Sequence, residues 1–188
     1  MTPLSTDATA ARPRRRSARA LTAIVGLVLG LFVPAVITAG PASATLMTTT
    51  EQSISKVIVL MLNAERVGHG LRPLTVAYAL QLSARRHDKA MAAANVMSHQ
   101  LPGEPNFAVR IYRAGYDWVW AGENIAWNSE MNTTGVKVLE SLMYHEVAPN
   151  NGHRLNILNS HFKNVGIDVL LDWTHHKVWM TEDFGSLT

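Results

Sequence analysis

Ile54, Val57, Ile58, Met61 and Leu62, followed by Glu65 on the same face, recur at the 3.6-residue period of an amphipathic helix. The spacing predicts a helix over residues 53–67, opened by Ser53 as its cap and closed by Gly-His-Gly at 68–70. A second stripe of Val76, Leu80, Ala84, His87, Met91 and Ala94 predicts a second helix, with Thr75 placed to cap it. Asn106 is placed to cap a short third helix carrying Phe107, Val109, Arg110 and Ala114. Residues 133–144 predict a fourth, with Val136, Leu139, Leu142 and Met143 inward. Between the third and fourth, "GYDWVWAGENIAW" is aromatic-rich without a clear period and reads as irregular. Further on, "APNNGHRLNILN" delivers His153 from a turn into a short helix-like run, with Asn150 or Asn151 able to cap it. The C-terminal "NVGIDVLL" and "KVWMTEDFG" read as strands joined by a hairpin at "DWTHH". Helices come first and an antiparallel pair last, so the class is α+β.

The N-terminus follows a different pattern. "RPRRRSARA" is basic, "LTAIVGLVLGLFVPAVITAG" is apolar, and "ASA" at 42–44 puts small residues before a cleavage point. That order predicts an export signal over residues 1–44, cut after Ala44. A polar, Thr-rich linker over 45–52 and one domain over 53–188 follow. The apolar run approaches the length of a membrane anchor, but Pro34, Gly40 and the small-residue ending favour cleavage. The mature chain is then extracellular, with no stable membrane span.

The signal also changes the meaning of the charge. The whole chain carries +3, but residues 1–44 hold five Arg against one acid, Asp7. The remainder has 12 Lys and Arg against 13 Asp and Glu, near neutrality. A nucleic-acid partner is therefore not expected. There is no cysteine, so the exported domain stands on its apolar core or on a bound ion.

Several side chains invite a chemical reading. His87 lies on a buried stripe and reads as a core histidine held by one hydrogen bond. His69, His161, His175 and His176 fall in turns or loops and read as solvated. His99, Glu123, Glu146 and His153 remain. Two histidines and two glutamates suit a divalent cation, and they equally suit an acid/base cluster. His153 is also compatible with a structural hub tying a helix start to the sheet. The familiar hydrolase signatures are missing. "HEVAP" begins like a zinc-protease helix, but Pro149 stands where the second histidine belongs. There is no G-x-S-x-G elbow, no cysteine nucleophile and no glycine-rich phosphate loop.

Four segments in order carry a resemblance: "MLNAERVGHGLRPLTVAYALQLSARRHDKAMAAANVMSHQ", "RIYRAGYDWVWAGENIAW", "NNGHRLNILNSHFKNVGIDV" and "WMTEDFG". Together they resemble the bacterial branch of the CAP superfamily, the domain of cysteine-rich secretory proteins, antigen 5 and pathogenesis-related 1 proteins, also called the SCP domain. The resemblance covers about residues 54–185. It implies an α–β–α sandwich with a small antiparallel sheet between helices. It also implies a cleft lined by His, Glu, Glu and His, some of which hold a divalent cation such as Zn²⁺. His99 in "SHQ", Glu123 in "GEN" and His153 in "GHR" match that pattern, and Glu146 fits by position. No organic cofactor is implied. The absence of cysteine departs from the animal and plant pattern.

Function is less constrained than fold. The resemblance favours a secreted binding module for a small apolar ligand, such as a lipid, or for a cell-surface component. The alternative is a metal-dependent peptidase, with Glu123 or Glu146 as general base and His99 and His153 holding the ion. A purely structural envelope role is the third reading.

Overall fold

The computed structural model describes residues 4–11 and 46–187. Its elements run β1 (Leu4–Ala11), α1 (Thr49–Gly68), β2 (Thr75–Val76), α2 (Tyr78–Ala94), α3 (Phe107–Arg113), β3 (Trp120–Asn128), α4 (Thr133–Tyr144), α5 (Gly152–Ile157), β4 (Asn164–Asp172) and β5 (Lys177–Ser186). The strands form one sheet in the order β1-β3-β5-β4-β2. All pairings are antiparallel except β2 with β4. The class is α+β, as the order of elements predicts.

Alternation along β5 divides the core into two layers. Val178, Met180 and Phe184 join the α1 and α4 side chains Ile54, Ile58, Leu62, Val136, Leu139 and Met143. Trp179 points the other way, to Met91 and Ala92 of α2. Leu80, Ile111, Tyr116 and Ala121 continue that second layer toward α3. Helices thus cover both faces of the sheet. Gly166 lets α2 lie directly on β4, since a Cβ there would fall 2.0 Å from the Gln81 backbone nitrogen.

Several boundaries differ from the sequence reading. Helix α1 starts at Thr49 rather than Ser53. Its start is set by Thr48, which accepts from the Glu51 backbone N–H at 3.2 Å, while Glu51 accepts from Thr48 N–H at 2.8 Å. That reciprocal capping box outcompetes a lone serine. Ser53 lies inside the helix and donates to Thr49 O. Most of the described part of the expected linker is therefore helix. Thr75 caps nothing: it and Val76 pair in parallel with Asn164 and Val165 of β4, and α2 begins at Tyr78 without a side-chain cap. Leu142 is largely exposed, and Glu140 takes an inward position on α4. The stretch expected to be irregular contains β3. Both faces of β3 are covered, so its apolar and polar residues do not alternate as in a half-exposed strand. Asn106 caps α3 by accepting from Val109 N–H at 3.0 Å, as expected.

Most of the expected export signal, including the apolar run and the cut after Ala44, lies outside the described residues. Its first residues form β1 along the outer edge of β3. Among the described residues no helix is long and apolar enough to cross a membrane.

Candidate functional site

Strand β3 organises the site. Glu123 has no exposed surface. Its carboxylate accepts from His99 Nδ1 at 2.8 Å and makes a short ion pair with Arg110 of α3. Arg110 also donates to the His99 carbonyl at 2.8 Å, so one guanidinium fixes both halves of the His99–Glu123 pair. Burial works to raise the Glu123 pKa, but the His99 hydrogen bond and the charges of His87, Arg110 and His99 outweigh it and hold the carboxyl below its ordinary range. Asp183 stands opposite Glu123 on β5. Burial, then the neighbouring Glu123 charge, push Asp183 well above the usual carboxylate range.

The second pair sits at the start of α5. Glu146 accepts from His153 Nδ1 at 2.6 Å and from the His153 backbone N–H at 3.0 Å. Neither Asn150 nor Asn151 caps this helix: Asn151 occupies the cap position without a side-chain bond. Glu146 does that work instead, taking an otherwise orphaned N–H of the first turn. It therefore serves as a local cap and as the partner of His153.

Two asparagines tie the pairs to one strand. Asn156 of α5 donates to Glu123 O at 3.2 Å and to Asn124 Oδ1 at 2.9 Å. Asn124 donates back to His153 O at 3.3 Å and to Glu182 Oε2 at 3.0 Å. His99 and His153, 54 positions apart in the chain, are thus tied to adjacent residues of β3, His99 through its ring to Glu123 and His153 through its carbonyl to Asn124. Each imidazole faces a carboxylate through Nδ1, which assigns a donor N–H to Nδ1; the lone pair of the neutral tautomer is then on Nε2. Both Nε2 atoms are buried and have no hydrogen-bond partner among the described residues.

Against this geometry, the comparisons are decisive for family. The model of the CAP, or cysteine-rich secretory protein, family matches residues 59–184. The chain belongs to the CAP family. It is 35% identical over 135 residues to the uncharacterized protein YkwD of Bacillus subtilis, covering 68% of this chain and 49% of that one. The CAP chain therefore spans about half the length of that curated relative. Among solved structures it is similar to an extracellular SCP-domain protein of Bacillus anthracis, with TM-score 0.62, 27% identity and coverage of 73% of this chain and 41% of that one. An outer surface protein of Borrelia burgdorferi shares the fold at TM-score 0.62 and 14% identity, over 73% of this chain and 95% of that one.

The CAP site offers a metal a particular donor set. The two Nε2 lone pairs are suitable ligands, and each histidine is oriented by a carboxylate in the way metal-bound imidazoles commonly are. As placed, Glu123 and Glu146 face the Nδ1 side of their histidines. Among the described residues no group of three or more His, Cys, Asp or Glu side chains converges as ligands. The two Nε2 atoms are thus the donors these residues would offer a divalent cation, each imidazole oriented by its own carboxylate.

The other histidines separate from this centre. His87 is fully buried and meets Glu104 Oε1 at 2.9 Å, the single bond expected of it. His175 is not simply solvated, because Asp172 holds it at 2.7 Å. His161 lies over the Trp120 ring at 4.1 Å. The sequence reading missed Arg110, Asn124, Asn156 and Asp183 as parts of the site. An arginine placed on an apolar helical face was the one available signal, since a buried guanidinium requires a buried anion. Among the described residues an apolar groove lies elsewhere. It is about 670 Å³ and lies between α1 and the start of α2, lined by Met47, Val59, Leu60, Val76 and Tyr78 among others.

Proposed function

We propose that this CAP chain is an exported binding module that recognises a cell-surface component through the His99–Glu123 and His153–Glu146 pairs, with a divalent cation such as Zn²⁺ held between the imidazoles and the bound molecule. The observation that carries this reading is the shared geometry of the two histidines: each is locked by a carboxylate through Nδ1 and keeps a buried, unpartnered Nε2. Preorganised acceptors of this kind are costly to bury and are retained where something binds them. The extracellular and outer-surface descriptions of the similar proteins support export.

The peptidase reading is weaker on the same geometry. A general base needs an oxygen free to take a proton. Glu123 is engaged by His99 and Arg110, and Glu146 by the ring and the backbone of His153. A small apolar ligand has its own supporting observation in the groove beside α1, away from the histidines.

Isothermal titration with zinc tests the proposal on wild type, His99→Ala and His153→Ala. Wild type is expected to bind, and each alanine variant to lose at least tenfold in affinity. Equal affinity in folded variants would remove the shared site and return His153 to a structural hub.

A further inference from the structure

We propose that the outer edge of β3, beside the two histidines, binds an extended peptide as an added antiparallel strand. This rests on reading the two His–Glu pairs as a recognition site and names the class of ligand that site takes. In the sheet order, β5 pairs one side of β3, and the chain's own residues 4–11 pair the other. Ala8 stands opposite Glu123, Thr9 opposite Gly122, Ala10 opposite Ala121 and Ala11 opposite Trp120. The occupying strand also packs against α5, the helix that carries His153. The edge is therefore bordered by the histidine site and already accepts an extended segment.

Export changes who occupies it. Residues 4–11 precede the expected cut after Ala44, so cleavage removes the strand and leaves a row of unpaired N–H and C=O groups on β3. Native sheets guard such edges with lysine, proline or short strands. Strand β3 spans nine residues, Trp120–Asn128, with neither lysine nor proline. Its one charge, Glu123, is buried and engaged, so it cannot act as a guard. An unguarded edge of this length is suited to strand addition, in which backbone hydrogen bonds supply affinity and flanking side chains supply selectivity. With both Nε2 atoms buried and assigned to the cation, selectivity along this edge falls to small side chains such as Ala, Ser and Thr, the residue types that stand opposite β3 here. The present occupant, "LSTDATAA", is composed mainly of such small residues, so the inferred ligand is an extended peptide rich in Ala, Ser and Thr.

Fluorescence anisotropy of a labelled LSTDATAA peptide tests this on the full chain. Wild type is compared with an Ala8→Pro/Thr9→Pro variant: neighbouring N–H groups of a strand point to opposite sides, so one of the two replacements removes a donor to the ladder. Ala8→Pro and Thr9→Pro, tested singly, replace it if the double variant does not fold. The strand-released protein is expected to bind at least tenfold more tightly than wild type, and a peptide N-methylated at alternate residues is expected to lose that binding. A folded released variant that binds no better than wild type, or that binds the N-methylated peptide equally, overturns the inference. Zinc titration of the same variant separates the two failures. Zinc binding without peptide binding removes only the peptide inference, whereas loss of both removes the cleft reading as well.

Discussion

Glu182→Gln should make the folded chain more stable at pH 8 than at pH 4.5, relative to wild type. Glu182 sits on β5 without exposed surface and accepts from Asn124 Nδ2 at 3.0 Å. Glu140 of α4 and Glu65 of α1 complete a row of three carboxyls beneath the site. Burial is the largest influence on Glu182. The hydrogen bonds from Glu140 and Asn124 only partly offset it, and the carboxyl is pushed from its ordinary 4.5 up to about 7. Glu140 is pushed well above its ordinary range by burial, then by the charge of Glu182.

The sign follows from which state holds the proton. Between pH 4.5 and about 7 the folded chain keeps a proton on Glu182 that the unfolded chain has released. Stability therefore falls as pH rises through that window and levels off above it. At about 1.4 kcal/mol for each pH step, the loss attributable to Glu182 is roughly 3 kcal/mol. Glutamine does not titrate, still offers an oxygen to Asn124 and supplies an N–H₂ to Glu140. Urea unfolding at pH 4.5, 5.5, 6.5 and 7.5, at fixed ionic strength, measures the difference between the two proteins. It should grow by about 3 kcal/mol in favour of the variant across that series. A constant difference would refute the claim that Glu182 is held protonated.

How much of this was legible in the sequence depends on what each feature rests on. Helix α1 declared its buried face because Ile54, Ile58 and Leu62 repeat at the helical period, and local periodicity needs no knowledge of partners. The start of α1 was harder to read, because Ser53 and Thr48 are both competent caps and only Thr48 has a glutamate three residues on that bonds back. Strand β3 was hidden for the opposite reason: helices cover both of its faces, and a doubly buried strand loses the alternation that betrays a strand. The four site residues were brought together by family resemblance, not by spacing. Arg110 reaches Glu123 from another element, across 13 positions, and Asn156 reaches it across 33. No local pattern encodes such contacts. The dual role of Glu146 was equally obscured, since two asparagines next to His153 are stronger cap residues by propensity and neither is positioned to bond.

Two further outcomes test the site and its surroundings. Arg110→Met should destabilise the fold by about 3–5 kcal/mol, because it leaves the buried Glu123 carboxylate without its guanidinium; a cost below about 1 kcal/mol in urea melts would show that His99 alone holds that charge. Pro149→His writes H-E-x-x-H into residues 145–149, yet it should give no zinc-dependent cleavage of a peptide library. That motif works when its two histidines lie one turn apart on a single helical face. Helix α4 ends at Tyr144, with His145 as its cap residue. Glu146, which would have to act as the base, already holds the ring and backbone of His153. The new histidine would therefore enter a turn, displaced from the first and facing a glutamate with no oxygen to spare. Zinc-dependent turnover by this variant would mean that the segment after Tyr144 can rewind into α4, and that the His153–Glu146 pair is weak enough to be given up when it does.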